Sequence, residues 1–218
     1  MGYRIPAFEL RPYMNVVELA KTRVMPLTGQ PYSFDMTPYF EEPCRFLDDV
    51  ASTCRVVISA PSQSGKSEIM LNFVAHIAIY DPAPSLLIMD TSNNSYKFSS
   101  GRVKPLLRDF VKLPAFEDTS ISNRNDDKKK AVSEYSLSNN SPLYIGGSVS
   151  LSDLCSKPCK YLVLDELARF YEGKEGSSVD LALKRQMRFR GMALLTSTPT
   201  VADNYITQYW RSGTAQTW

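Results

Sequence analysis

The run Ala60-Pro-Ser-Gln-Ser-Gly-Lys-Ser67 holds the residue types and the spacing with which a chain can grip a polyphosphate. Small residues let a tight loop turn its backbone N–H groups inward, and a helix starting near Lys66 aims its positive end at the same point. Lys66 then reaches the β- and γ-phosphates of a nucleotide, and the Ser67 hydroxyl is placed to ligate Mg2+. Pro61, Ser62, Gln63, Ser64, Gly65, Lys66, Ser67 and Glu68 are therefore the candidate ATP-binding residues. Ala60 stands where the usual pattern has its first glycine, which is tolerable if its φ is negative. The plainer alternative is a chance match in a serine-rich turn.

A second group with chemical potential is Asp165-Glu166, which ends the apolar run Tyr161-Leu-Val-Leu164. Asp165 would hold Mg2+ opposite Ser67. Glu166, the next residue at the phosphate end, would orient and polarise the attacking water as a general base. Lys66 and Glu166 are thus the catalytic candidates, and Ser67 and Asp165 the metal candidates. Two solvated acids capping the next helix is the competing reading. Thr196, Ser197 and Thr198 end a further apolar run, and their hydroxyls could bond the γ-phosphate or Glu166 and report hydrolysis. A serine- and threonine-rich strand exit is the plainer account of them.

The elements that must position these residues follow from periodicity. Arg55-Val-Val-Ile-Ser59 reads as a buried strand, and Ile69, Met70, Phe73, Val74 and Ile77 fall on one face of a helix after Lys66. Strand, small-residue loop and helix in that order are the context a phosphate-binding loop requires. Ser85–Asp90, Lys160–Glu166 and Met192–Ser197 read as further buried strands, with ligands expected at their carboxyl ends. Val132–Leu137 and Pro142–Ile145 read as two strands joined by a Ser-Asn-Asn-Ser turn, with Gly146-Gly147 opening a loop. Cys44–Val50, Ser99–Phe110 and Ser178–Arg188 are predicted helices, the second with Pro105 near a first turn or at a kink. Thr91–Ser95 reads as a polar loop, and Glu117–Lys130 as a mobile surface loop with almost no apolar residue.

Residues 1 to about 30 lack a clean period and carry Pro6, Pro12 and Pro26, with Pro31 just beyond, so they read as an arm or linker that packs on something else. The division expected is an N-terminal arm over residues 1–35 and one α/β domain over 36–218, without internal repeats. Tyr39 and Phe40, ahead of the loop strand, are candidates to border the adenine, packing being the plainer role.

With 218 residues, 43% hydrophobic and 22% charged, the chain has an ordinary globular balance and can bury a sizeable core. The formal net charge of +2 is too small to argue nucleic-acid binding from bulk electrostatics. That case rests on Lys184, Arg185 and Arg188, which share a helical face and could touch DNA phosphates; a solvated or subunit-facing surface is the plainer reading. No apolar run approaches the ~18 residues of a membrane span and no signal peptide opens the chain, so a cytoplasmic protein is expected. Cys44, Cys54, Cys155 and Cys159 then read as free thiols. Cys155 and Cys159 could form half of a zinc site, but no second pair follows. His76, the lone histidine, lies in the helix after Lys66 and reads as a surface or core-edge residue.

The order of the three chemical elements, with Thr37-Pro-Tyr, Asn72, Asp81-Pro, Phe98-Ser-Ser-Gly-Arg and Gly147-Ser-Val-Ser around them, resembles a known family. It is the ATPase domain of the large subunit of tailed-phage terminases, the GpA-type DNA-packaging motors. The resemblance covers most of the chain from about Thr37. It implies an α/β P-loop NTPase of the additional-strand, RecA-like type, with a mostly parallel central sheet flanked by helices. One strand should lie between those bearing the two nucleotide motifs. It further implies a motor that hydrolyses ATP with Mg2+ and drives double-stranded DNA into a procapsid. Such a motor works on the portal ring with a small terminase subunit, as a homo-oligomer, in the host cytoplasm.

Large subunits of the family also carry a C-terminal nuclease domain, and this chain stops at Trp218, so an ATPase domain without DNA cutting is expected. Related terminases place an arginine before the second motif or in the P-loop. Here Leu154–Lys160 offers only Lys157 and Lys160, which leaves the trans-acting residue open. The alternatives are a helicase-like ATPase on the same core, or a nucleotide-binding structural subunit that does not hydrolyse. Glu166 beside Asp165 argues against the latter.

Overall fold

Asn15 opens the first helix with a reciprocal cap, its side chain accepting from the Glu18 N–H while Glu18 accepts from the Asn15 N–H. The computed structural model describes residues 12–51, 54–112, 132–150, 157–170, 172–173, 176–186, 190–200 and 204–213. Within them α1 spans Val16–Lys21 and buries Val16, Val17, Leu19 and Ala20 in the same core as the rest of the domain. The described part of the segment expected to be an arm therefore packs on the domain through a helix. Six residues are too few to display a period, which is why the pattern does not reveal it.

Helix α2 covers Glu41–Arg45, earlier than the predicted Cys44–Val50. A turn at Pro38–Phe40 leads into it, and Glu41 and Glu42 suit its first turn. Asp48 does not extend it, because its carboxylate accepts from the Val16 N–H and the Tyr13 hydroxyl and ties the segment to α1.

The strands are β1 Arg55–Ser59, β2 Ser85–Met89, β3 Val132–Ser136, β4 Pro142–Gly147, β5 Tyr161–Asp165, β6 Glu172–Gly173, β7 Gly176–Ser177 and β8 Ala193–Ser197. Six of them form one sheet in the order β1-β8-β5-β2-β4-β3, and β6 and β7 form a small separate ribbon. Only β3 is antiparallel to its neighbour in the large sheet. Every residue of β2, β5 and β8 is buried, as a parallel sheet covered on both faces demands. Strand β8 lies between β1 and β5, so the inserted strand of the additional-strand arrangement is present.

Helix α3, Lys66–Tyr80, is buried nearly all round rather than on one face: Leu71, Asn72, Ala75, His76 and Ala78 join the expected apolar positions. The sheet covers one side, and α1 with the 106–111 segment covers the other. The predicted loop at Thr91–Ser95 is instead the start of α4, Ser92–Phe98, with Thr91 as the N-cap accepting from the Asn94 N–H. Beyond it the chain stays helical to Val111 but with wide π turns at Ser99–Val103 and Leu106–Val111 on either side of Pro105. A proline has no N–H to give and crowds the carbonyl four residues back, which explains the wider winding.

Gly146 and Gly147 close β4 rather than open a loop. A Cβ on Gly147 would sit 2.3 Å from the Ser92 backbone nitrogen, so only glycine lets α4 dock there. Helix α5 covers Ser178–Gln186 and α6 Tyr205–Arg211, both packing on the second face of the sheet with Leu162, Leu164, Ala193 and Leu195. No helix among the described residues is long and apolar enough to cross a membrane. The predicted loop at Glu117–Lys130 and residues 151–154 lie outside the described residues.

Candidate functional site

The loop between β1 and α3 reaches its shape through two left-handed residues, Gln63 at φ 60° and Gly65 at φ 97°. Alternation of this kind folds successive N–H groups into one concavity. Ala60 is not among the positive-φ residues, so alanine replaces the usual glycine without strain. Gly65 is also the N-cap of α3 and supplies no side chain to it, which leaves the helix end open toward the loop. A Cβ there would crowd the Thr37 methyl at 3.3 Å. From the same lead-in segment the exposed Tyr39 donates its hydroxyl to the Ser64 carbonyl at 3.1 Å, while Phe40 is buried. Both residues thus support the loop from below.

Lys66 is more enclosed than a loop lysine is expected to be, at 6% exposure. Its ammonium donates to the carbonyls of Ala60 at 2.9 Å and Pro61 at 2.8 Å and to the Thr198 hydroxyl at 3.0 Å. Burial pulls its pKa down, and the charges of Glu166 and Asp165 pull it back up. Pro61, Ser62 and Gln63 are exposed at the loop tip, and Ser67 is half-buried in the first turn of α3. The Ser64 hydroxyl oxygen is buried without a protein partner. Glu68 is committed elsewhere. Its carboxylate pairs with Arg23 at 2.6 Å and with Arg102 at 3.7 Å, and its N–H is bonded to Gly65.

The strand order brings the remaining residues to this loop. Asp165 ends β5 and is 5% exposed. One oxygen accepts from the Thr196 hydroxyl at 2.6 Å and from the Glu166 N–H at 3.0 Å. Burial raises its pKa to about 6, against the Thr196 hydrogen bond, with the neighbouring Glu166 charge adding to the rise and Lys66 opposing it. Glu166 sits in the left-handed region at φ 57°, ψ 45°. It occupies the N-cap position of the turn Leu167–Arg169, but its side chain makes no capping hydrogen bond. It faces Thr198 instead, whose N–H and hydroxyl lie 3.4 Å from its two carboxylate oxygens.

Thr196, Ser197 and Thr198 divide the work among them. Thr196 holds Asp165. Ser197 accepts from the Ala168 N–H through its hydroxyl, while its carbonyl accepts from the Ala60 N–H at 3.1 Å. Thr198 bridges Lys66 and Glu166. The loop, the end of β5 and the end of β8 are thereby one hydrogen-bonded unit.

The donor set fits a magnesium nucleotide. A buried carboxylate at the end of β5 and a serine hydroxyl in the first turn of α3 are the oxygen donors that suit a small hard cation that keeps its waters and leans on substrate phosphates. Among the described residues no group of three or more His, Cys, Asp or Glu could hold a metal alone. The Ser64 hydroxyl and the open helix end suit the phosphates themselves.

Other sequence candidates fall away from this centre. Lys184 is exposed and Arg185 half-buried near the end of α5, while Arg188 lies outside the described residues. Lys157 packs its ammonium 3.7 Å above the Tyr144 ring and 3.9 Å from Glu134. Lys160 pairs with Asp81 at the opposite end of β5. Cys44, Cys54 and Cys159 are free thiols, and burial pushes Cys44 and Cys159 up to about 12. Cys155 lies outside the described residues. His76 is buried, 3.9 Å from Asp48, on the far side of α3. Arg23, which grips Glu68 from 45 positions away, carries no local signal from which its role could be read.

Comparisons with known proteins agree with this geometry. The family model for the phage terminase large subunit gpA, ATPase domain, matches residues 28–218. No curated protein gives a match. Among solved structures, the large terminase of bacteriophage HK97 superposes with a TM-score of 0.68 at 14% identity, covering 90% of this chain and 40% of that one. The large terminase ATPase domain of Thermus phage P74-26 gives a TM-score of 0.50 at 18% identity, covering 88% and 76%. The chain thus spans less than half of the HK97 protein. A match over nearly the whole chain, on a sheet order that assembles the expected loop, acids and threonines, has one reading: the chain belongs to the family of phage terminase large subunit gpA ATPase domains.

Proposed function

We propose that this chain is a Mg2+-dependent ATPase that drives double-stranded DNA into a procapsid. The observation that carries the reading is the meeting of Lys66 and Glu166 at one threonine, Thr198, above the buried Asp165. In this proposal the loop amides of 61–67 and the start of α3 bind the phosphates, and Lys66 adds a fixed positive charge to them. Ser67 and Asp165 would hold Mg2+, which supplies charge neutralisation at the phosphate oxygens. Glu166 is half-buried and free of a capping duty, and it takes the proton of the attacking water at a carboxylate oxygen. Thr198 connects that carboxylate to Lys66, and the Ser197 carbonyl ties the end of β8 to Ala60. A change at the phosphates is then felt by β8 and the chain that follows it.

The working partners in this reading are double-stranded DNA, a small terminase subunit, a portal ring and further copies of the chain, in the host cytoplasm. The ATPase domain is residues 36–218, with α1 and the other described residues before it packed against it. Exposed Lys184 and its neighbours Arg185 and Arg188 would touch DNA phosphates or an adjacent subunit, contacts that carry no sequence information. The reading gives the described carboxylates no DNA-cutting role, so plasmid incubated with the chain and Mg2+ or Mn2+ is expected to stay intact.

Phosphate release with Mg2+ and with EDTA tests the core of the proposal. Glu166→Gln is expected to lower turnover by ~10²-fold or more with ATP affinity within a few-fold, the usual weight of a positioned general base. Asp165→Asn is expected to remove the Mg2+-dependent part of binding. ATP bound without phosphate release in the wild-type chain would mark a structural subunit and refute the reading. So would a Glu166→Gln variant that keeps its turnover.

A further inference from the structure

Arg23 is the most enclosed charged residue described, with a side chain that is 0% exposed. Its Nε donates to Asn72 Oδ1 at 2.7 Å, its Nη2 to Glu68 Oε2 at 2.6 Å and to the Glu68 carbonyl at 3.4 Å. The guanidinium stacks 5.2 Å from the centre of the Tyr32 ring. Arg102, 27% exposed, approaches the other carboxylate oxygen of Glu68 at 3.7 Å. Nη1 of Arg23 and Nδ2 of Asn72 are buried without a protein partner, so this cluster is not the cheapest way to fill the space.

The position of Glu68 gives the cluster a purpose. Lys66, Ser67 and Glu68 are the first three residues of α3, and the N-cap Gly65 offers no side chain to the helix end. A carboxylate in the first turn is attracted to the same positive helix end that a phosphate needs. Left unpaired, Glu68 would compete with an anionic ligand for that end and repel it. The two arginines turn the carboxylate aside and cancel its charge. Arg23 also pins the turn itself, through the Glu68 carbonyl and Asn72 one helical turn further on.

We propose that Arg23 is a positioning residue of the nucleotide site, one that keeps the Glu68 carboxylate out of the phosphate cradle. Arg23 lies outside residues 28–218, the stretch the family model matches, so the segment carrying α1 contributes to the site from beyond the matched domain. The inference rests on the ATP-site reading above.

The test uses the whole 218-residue chain and measures ATP and ADP affinity at equilibrium beside turnover at saturating ATP. Arg23→Met is expected to weaken ATP binding about 10-fold or more and ADP binding less, because the unmasked charge acts most on the more anionic ligand. Turnover at saturation is expected to change less than about 3-fold, since Lys66 and Glu166 keep their partners. Adding Glu68→Gln to Arg23→Met is expected to restore ATP affinity to within about 3-fold of the wild type. A purely structural arginine would lower thermal stability without changing the ratio of ATP to ADP affinity, and the second substitution would not repair it.

A folded Arg23→Met chain with wild-type ATP affinity overturns the proposal, as does a double variant no better than the single one. If Arg23→Met does not fold, Arg23→Lys and Glu68→Gln decide the matter. Both are expected to bind ATP within about 3-fold of the wild type, because the carboxylate is still paired in one and is removed in the other. A loss of about 10-fold in Glu68→Gln would sink the idea, since the carboxylate would then be helping the ligand. A wild-type chain that binds neither nucleotide overturns the ATP-site reading itself, an outcome distinct from these.

Discussion

Replacing Glu166 by glycine is expected to raise the thermal stability of the chain while removing its ATP turnover. Glu166 holds φ 57° and ψ 45°, a left-handed conformation that costs an L-residue roughly 1–2 kcal/mol. Glycine adopts it freely but loses more freedom on folding, which takes back about 0.5–1 kcal/mol. The lost attraction of its charge for the buried Lys66 ammonium opposes the change, and little else does. The two hydrogen bonds from Thr198 are 3.4 Å long, near the limit at which such bonds count, and the side chain caps nothing. Removing the charge also relieves Asp165, whose pKa Glu166 helps to raise. The net gain is about 0.5–1 kcal/mol, or ~1–4 °C in Tm for a domain of this size. Turnover should fall by ~10²–10⁴-fold, the weight of a lost general base. Thermal unfolding and phosphate release on the same preparation measure both. A lower Tm with a proportionate loss of activity would mean that Glu166 is a structural residue, and a glycine variant that still hydrolyses ATP would refute the catalytic assignment outright.

Further outcomes follow from single contacts. Thr198→Val keeps the shape but removes the hydroxyl shared by Lys66 and Glu166; turnover should fall about 10-fold with ATP affinity nearly unchanged, because two carbonyls still hold Lys66. Unchanged turnover would remove Thr198 from the mechanism. Gly147→Ala should cost about 3 kcal/mol or prevent folding, since its Cβ meets the Ser92 nitrogen at 2.3 Å and backbone cannot step aside cheaply; chemical denaturation measures it. His76 is held neutral by burial, against the attraction of Asp48, so its folded pKa lies below 6.5. The unfolded chain therefore binds the proton first, and stability is expected to be full above about pH 6.5 and to decline as pH falls below it. In His76→Phe that part of the decline should disappear from a denaturation series between pH 7 and pH 5.

Different parts of this molecule were legible in the sequence for different reasons. Strands β1, β2, β5 and β8 are short apolar runs bounded by polar or breaking residues, too short for a helix, and β2, β5 and β8 are buried throughout as such runs imply. The Ala60–Ser67 loop is a local object whose spacing carries its own chemistry. Helix α1 escaped because its six residues are held by a cap and by distant burial rather than by a period. The start of α4 was hidden because Thr91–Ser95 is polar enough to pass for a loop until Gly147 brings a strand against it. The π turns beside Pro105 were hidden because apolar spacing records the face of a helix and not its winding.

By itself the sequence determined which chemical groups the chain possesses: a phosphate-binding loop, a pair of acids after an apolar strand, and hydroxyls after another. Those are properties of neighbours along the chain. Only the tertiary structure decided that Lys66 is buried, that Thr198, 132 positions along the chain from it, joins it to Glu166, and that Glu68 answers to Arg23 and Arg102 rather than to the loop beside it. Each of these depends on the insertion of β8 between β1 and β5 or on α1 folding over α3. Such contacts are chosen by the burial of whole strands and helices, and no local run of residues encodes them.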